Sequence, residues 1–115
     1  MSRKVYQVCS VLDAAKRRIS EAFDELEVLY ISFSGGKDST VMMHLVCQEA
    51  RKRNRKVGVF IIDLEAQYTA TIEHIEEMIK EYEDCIDLHW FCGQLLLRNA
   101  ISDFEPKWVS CELFF

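Results

Sequence analysis

The sequence predicts an α/β fold, a parallel sheet with helices on both faces. Three observations carry that prediction. Apolar, β-prone runs at residues 28–33, 57–62 and 85–91 alternate with segments whose apolar residues recur every three or four positions. The run Val57-Gly58-Val59-Phe60-Ile61-Ile62 is nearly continuous, as suits a parallel strand covered on both sides. The first run passes through Gly35-Gly36 directly into a helical pattern, giving strand, glycine turn and helix in succession.

Taken in order, residues 1–9 read as an extended lead-in. Ser10 is placed to cap a helix, and Asp13 faces its positive end. Leu12, Ala15, Ile19, Ala22, Phe23 and Leu26 form one apolar stripe, with Lys16, Arg17, Arg18, Glu21 and Asp24 on the solvated faces. Residues 28–33 form the central strand, and the helix after the glycine pair runs to about Arg53. Met42 and Met43 read as core filler and His44 as a packed histidine. The run Arg51-Lys52-Arg53-Asn54-Arg55-Lys56 closes that helix, because positive charge suits a helix C-terminus and Asn54 suits a left-handed cap. A docking patch for a polyanion or an acidic partner is the competing reading.

Residues 57–62 form a second strand beside the first. The polar turn at residues 63–67 lies just past its C-terminal edge, where open α/β sheets bind ligands. A third helix follows at residues 69–82, with Ile72, Ile75, Ile79 and Tyr82 inward and His74 outward among glutamates. Residues 85–91 read as an edge strand, since Asp87 and His89 alternate with apolar residues. Residues 95–100 are expected to be a short helix or a loop packed on the sheet. Beyond Asp103 no period is visible, and the sequence ends on Leu113-Phe114-Phe115.

The 115 residues suffice for one small domain. A net charge of -5 argues against general affinity for nucleic acid or anionic membrane. No apolar run approaches a membrane span, and Met1-Ser2-Arg3-Lys4 opens no secretory signal, so a cytoplasmic location is expected. The five cysteines, Cys9, Cys47, Cys85, Cys92 and Cys111, include no C-x-x-C pair, so reduced thiols are expected rather than a metal framework.

The chemistry concentrates in Ser34-Gly35-Gly36-Lys37-Asp38-Ser39-Thr40. Adjacent glycines permit positive φ and remove Cβ atoms, so that several backbone amides converge on one anion. The helix behind them adds unpaired N–H groups and a positive dipole end. Lys37 adds a full charge, and Ser34, Ser39 and Thr40 add hydroxyls. A Walker A loop is excluded, because Ile31 and Asp38 stand where it requires glycine and Ser or Thr. A G-x-G-x-x-G fingerprint is excluded because only the pair Gly35-Gly36 is present.

The remaining pattern, S-G-G-K-D-S, resembles the pyrophosphate-binding PP-loop of the N-type ATP pyrophosphatases, and within them the phosphoadenosine phosphosulfate (PAPS) reductase family. That family carries an aspartate after the second strand, a glutamate shortly after it and a threonine at the next helix start; Asp63, Glu65 and Thr71 match. Residues 49–56 and 63–67 are similar to a reductase-like subgroup that includes regulators of immunoglobulin-binding proteins, encoded beside a ParB-like partner. The resemblance spans most of residues 10–112.

The resemblance implies an adenine nucleotide alpha hydrolase-like, Rossmann-like domain over residues 1–115, the N-terminal part of a longer one with an incomplete C-terminus. It implies ATP or PAPS as ligand, with Mg²⁺. Phe33, Ser34, Gly35, Gly36, Lys37, Asp38, Ser39, Thr40, Ile62, Asp63, Leu64 and Glu65 would bind the nucleotide, with main chain around Phe33 and at residues 62–64 recognising adenine. Lys37 and Asp38 would be catalytic. Asp38 has two readings, a loop-orienting or Mg²⁺-holding carboxylate and a helix-terminal charge. Asp63 and Glu65 likewise either contact ribose, Mg²⁺ or a second substrate, or form the turn. The family's reductases end in a Glu-Cys-Gly-x-x-His type motif. Here Cys111-Glu112 reverses its first pair and neither glycine nor histidine follows, so reduction is not expected. Three functions stay open: an ATP pyrophosphatase or sulfonucleotide enzyme, a non-catalytic nucleotide-binding regulator with a ParB-like partner, and an inactive fragment.

Overall fold

The computed structural model describes residues 3–110. It is an α/β fold with a Rossmann-like parallel sheet flanked by helices. The elements run α1 (Val11–Glu25), β1 (Tyr30–Ser32), α2 (Lys37–Lys52), β2 (Val57–Asp63), α3 (Thr69–Glu81), β3 (Ile86–Cys92), β4 (Leu96–Arg98) and β5 (Lys107–Val109). The parallel sheet has the order β1-β2-β3, with Ile31 opposite Val59 and Val59 opposite Leu88. Among the described residues β2 is therefore the middle strand and β1 an edge, whereas the first strand was expected to be central. β3 is the edge that its mixed polarity indicated. The apolar end at residues 113–115, Cys111-Glu112 and the first two residues lie outside the described residues.

The caps follow the sequence. Ser10 Oγ accepts from the Asp13 amide at 3.1 Å and starts α1. Asn54, at φ 51°, ends α2. Its amide donates to Arg51 O at 3.2 Å, and the Arg55 amide donates to Ala50 O at 2.9 Å, the paired bonds of a Schellman motif.

One core holds the layers together. Phe23 of α1, Met43, Val46, Cys47 and Ala50 of α2, and Ile75 and Met78 of α3 pack with Ile31, Phe33, Val57, Val59, Ile61 and Ile86 from the sheet. Alternate strand residues face opposite ways, so all three helices lie against the same sheet face. Their distribution departs from the expectation of helices on both faces. From β1 to β2 and from β2 to β3 the chain steps in one direction, and two right-handed crossovers of that kind place both helices on one side. On the other face Tyr30, Phe60, Ile62 and Phe91 remain 60%, 38%, 43% and 46% exposed. Phe60 stacks on Phe91 with centroids 6.4 Å apart, and Tyr30 packs on His89 at 5.6 Å. The continuous apolar run of β2 thus reflects a core on one side and an aromatic layer on the other.

The basic run after α2 is a set of structural ties. Arg51 forks onto both Asp84 oxygens at 2.7 and 3.0 Å, which holds the Asp84 carboxyl below its usual range. Arg53 reaches Asp24 at 2.6 Å and Glu49 at 2.8 Å. Arg55 donates to the carbonyls of Phe23, Leu26 and Glu27 at 2.6–2.8 Å, closing the C-terminus of α1, whose last turn has no basic residue of its own. Of the helix-closing reading, the Asn54 cap is borne out and Arg51 and Lys52 lie in the last turn of α2, while the arginines' contacts run to neighbouring elements. Burial accounts for the thiols of α2 and the α3–β3 turn: Cys47 is pushed up to about 12, chiefly by desolvation, and Cys85 is raised for the same first cause.

Residues 95–100 are neither the short helix nor the packed loop expected. β4 pairs antiparallel with β5, Leu96 opposite Val109 and Arg98 opposite Lys107. Ser110, fully buried, fastens this hairpin: its hydroxyl donates to Gly93 O at 3.0 Å and accepts from the Leu95 amide at 3.1 Å. Three-residue strands leave too short a pattern for periodicity to register.

α3 also shapes the turn after β1. Gly35 has φ +79°, and a Cβ there would lie 2.9 Å from Ile75 Cγ1 and 3.1 Å from Thr71 Cγ2. Gly36 is extended (φ -76°, ψ 168°), and its nearest Cβ neighbour would be Ser34 Oγ at 3.5 Å.

Two substitutions check these assignments by urea unfolding. Arg55→Ala should lower stability by about 2–3 kcal/mol, and Arg55→Lys should recover only part, since an ammonium lacks the planar fork. Gly35→Ala should cost about 1–3 kcal/mol from backbone strain and the Ile75 contact, whereas Gly36→Ala should cost under about 1 kcal/mol. Equal losses at the two glycines would contradict the described turn.

Candidate functional site

The loop at residues 33–40 leaves the C-terminal end of β1 and becomes α2. Phe33 is 2% exposed and its amide still pairs with Phe60 O at 3.0 Å, so its side chain belongs to the core and its main chain to the sheet rim. Ser34, Gly36, Lys37 and Asp38 are exposed; Gly35, Ser39 and Thr40 are half-buried. Gly36 is the N-cap of α2, with no side-chain cap bond. The amides of Lys37, Asp38 and Ser39 therefore begin the helix without an intrahelical acceptor. They point out of its N-terminus, the arrangement that stabilises an anion, and the exposed Lys37 is the first residue of that helix.

The loop's hydroxyls bind one another around the Gly36 carbonyl. Thr40 Oγ1 donates to Gly36 O at 2.7 Å and Ser39 Oγ at 3.1 Å, alongside the Thr40 amide at 3.0 Å. Ser34 Oγ and Ser39 Oγ are 3.0 Å apart, and the Gly36 amide reaches Ser34 Oγ at 3.4 Å. Serine hydroxyls can rotate from these partners to a phosphate oxygen without moving the backbone.

α3 closes the loop from the side. Thr71 and Ile75 lie against Gly35. His74 Nε2 is 2.9 Å from Thr40 Oγ1, and the His74 ring packs 6.3 Å from that of Phe33. His74 was expected on a solvated face. Its spacing of three from Thr71 puts both on one helix side and is the signal that could have placed it here.

The second group of candidate residues sits at the C-terminal end of β2, on the same sheet edge as the loop. Asp63 Oδ1 accepts from the Glu65 amide at 2.8 Å, and Asp63 Oδ2 accepts from Trp90 Nε1 at 3.0 Å. The Ala66 amide donates to Leu64 O at 2.8 Å, and Gln67 Nε2 to Ile62 O at 3.4 Å. Glu65 adopts φ 69°, a left-handed conformation uncommon for a residue with a Cβ. Asp63 therefore organises the turn as well as facing the edge. Trp90, which ties β3 to that turn, carried no site signal in the sequence. The hydrogen bonds join Ser34, Gly36, Ser39, Thr40 and His74 into one network, and Asp63, Glu65 and Trp90 into another. Among the described residues no group of three or more His, Cys, Asp or Glu is placed to hold a metal ion; Asp38 is exposed in the first turn of α2. No helix among them is long and apolar enough to cross a membrane.

Comparison with known proteins accords with this geometry. Uncharacterized protein YbdN of Escherichia coli (strain K12) is 37% identical to the chain over 104 residues. That match takes in 90% of this chain and 26% of YbdN, so the chain spans about a quarter of the length of this relative. The phosphoadenosine phosphosulfate reductase domain matches residues 28–107, from two residues before β1 to the first residue of β5. With a match over most of its length, the chain belongs to the phosphoadenosine phosphosulfate reductase domain family.

Proposed function

We propose that the chain binds an adenine nucleotide, ATP or a sulfonucleotide such as PAPS, with its diphosphate on the loop at residues 34–40. One observation supports the reading: at the C-terminal edge of a parallel sheet, a left-handed Gly35 leads into a helix whose first three amides lack an intrahelical acceptor and whose first residue is the exposed Lys37. The amides of Lys37, Asp38 and Ser39 hold phosphate oxygens, Lys37 neutralises their charge, and the hydroxyls of Ser34 and Ser39 turn outward to them. The main chain of Phe33 and of residues 62–64 borders the adenine, and Asp63 and Glu65 border the ribose. Mg²⁺ fits as a partner of Asp38 and the phosphate oxygens, since that ion is satisfied by one carboxylate with phosphate and water. When bound it supplies charge neutralisation.

If a nucleophile attacks the α-phosphorus, the departing pyrophosphate gains charge where these donors already point. Donors fixed before reaction stabilise that charge without reorganising. Lys37 and Asp38 are the catalytic candidates in this reading.

A second reading is a nucleotide-binding regulator without turnover, acting with a protein partner of ParB-like type. In it the Asp63 carboxylate, engaged by the Glu65 amide and Trp90, serves the turn.

A pyrophosphate-release assay with ATP and Mg²⁺ separates the two readings. Binding itself is checked by thermal unfolding. Nucleotide at a hundredfold excess over Kd should raise the Tm by roughly 10 °C, and Lys37→Ala should abolish the rise. An unchanged shift in Lys37→Ala would refute the loop's role.

A further inference from the structure

Proton accounting around Thr40 gives His74 a task. Thr40 Oγ1 has one proton and two near partners, Gly36 O at 2.7 Å and His74 Nε2 at 2.9 Å. A carbonyl oxygen only accepts, so the Thr40 proton lies on Gly36 O. The hydroxyl then offers His74 a lone pair, and Nε2 must carry the hydrogen. The order is His74 Nε2–H to Thr40 Oγ1, then Thr40 Oγ1–H to Gly36 O.

Gly36 O shares a planar trans peptide with the Lys37 amide, which points the opposite way. Holding the oxygen toward Thr40 therefore aims the Lys37 N–H out of the helix. Gly36 O also receives the Thr40 amide at 3.0 Å and Ser39 Oγ at 3.1 Å, three donors for two lone pairs. Ser39 has Ser34 as an alternative partner at 3.0 Å, so its proton is the one that can leave. Thr40 is retained because His74 occupies its other side.

We propose that His74 is a positioning residue of the diphosphate loop: by donating to Thr40 it fixes the Gly36–Lys37 peptide with its amide outward and leaves Ser34 and Ser39 as the hydroxyls that turn to the ligand. This rests on the reading of the loop as a diphosphate site. His74 touches no ligand in it, acting through Thr40, while the Phe33 ring 6.3 Å away sets the imidazole in place.

The test uses the full chain, with inorganic pyrophosphate and Mg²⁺ as the probe, and three variants. His74→Phe keeps an aromatic ring beside Phe33 and removes the donor. His74→Gln returns an N–H near the position of Nε2. Thr40→Val removes the acceptor. Calorimetry should show roughly tenfold weaker pyrophosphate binding in His74→Phe, recovery to within about threefold in His74→Gln, and no further loss when His74→Phe is added to Thr40→Val. Unaltered affinity in His74→Phe, a loss in His74→Gln as large as in His74→Phe, or additive losses in the double variant would overturn the proposal.

NMR of the ligand-free chain provides the second arm and needs no ligand. Wild type should show the Nε2–H tautomer of His74. The Lys37 amide resonance should move in His74→Phe and return in His74→Gln. An Nδ1–H tautomer or an unmoved Lys37 amide overturns the proposal, even if His74→Phe folds poorly and only the wild-type tautomer is read. Wild type that ignores pyrophosphate while passing this arm defeats the nucleotide reading and leaves the positioning role supported.

Discussion

The left-handed turn at Gly35 is the constraint on which the rest of the site depends. At φ +79° the chain leaves β1 and enters α2 with a single residue of reversal, and that reversal presses the Gly35 backbone against Thr71 and Ile75. Close approach of this kind requires the absence of a Cβ. It fixes where α2 starts, hence where its unpaired amides point, and it brings α3 within reach of the loop. The contact of His74 with Thr40 depends on the same approach.

Holding that geometry requires stiff neighbours. Phe33 is buried immediately before the turn, and Ile75 is 1% exposed immediately beside it, so the loop is gripped by the core on both sides. At the far end of the sheet Arg51, Arg53 and Arg55 join α2 and its C-terminal turn to Asp84, Asp24 and the last carbonyls of α1. Guanidinium groups suit this work because one planar fork satisfies several acceptors. The basic run thus belongs to the support of the loop, and Lys37, the charge proposed to meet the ligand, is exposed at the opposite end of the same helix.

Much of this was readable from the sequence, for physical reasons that differ by element. Ser10, Asn54 and the S-G-G-K-D-S loop are local devices, whose backbone demands are met by residues within a few positions, so they could be placed without tertiary information. The second strand was marked by its nearly continuous apolar run and the third helix by its three- and four-residue period. The side of the sheet on which helices pack is set by topology, and an apolar run such as Val57-Gly58-Val59-Phe60-Ile61-Ile62 looks the same whether helix or aromatic side chains cover its second face. The β4–β5 hairpin has strands too short to show alternation. His74 and Trp90 reach the site across 34 and 27 residues of sequence, toward Thr40 and Asp63, and no local pattern encodes such a contact.

The account's central claim is that a diphosphate sits on the amides that open α2. An amide NMR titration of the ¹⁵N-labelled chain with pyrophosphate and Mg²⁺ tests it most directly. The account predicts that the largest shifts fall on Gly35, Gly36, Lys37, Asp38 and Ser39, with smaller ones at His74. Stationary resonances at these residues at saturating pyrophosphate, or shifts centred on the basic turn near Arg55, would contradict it.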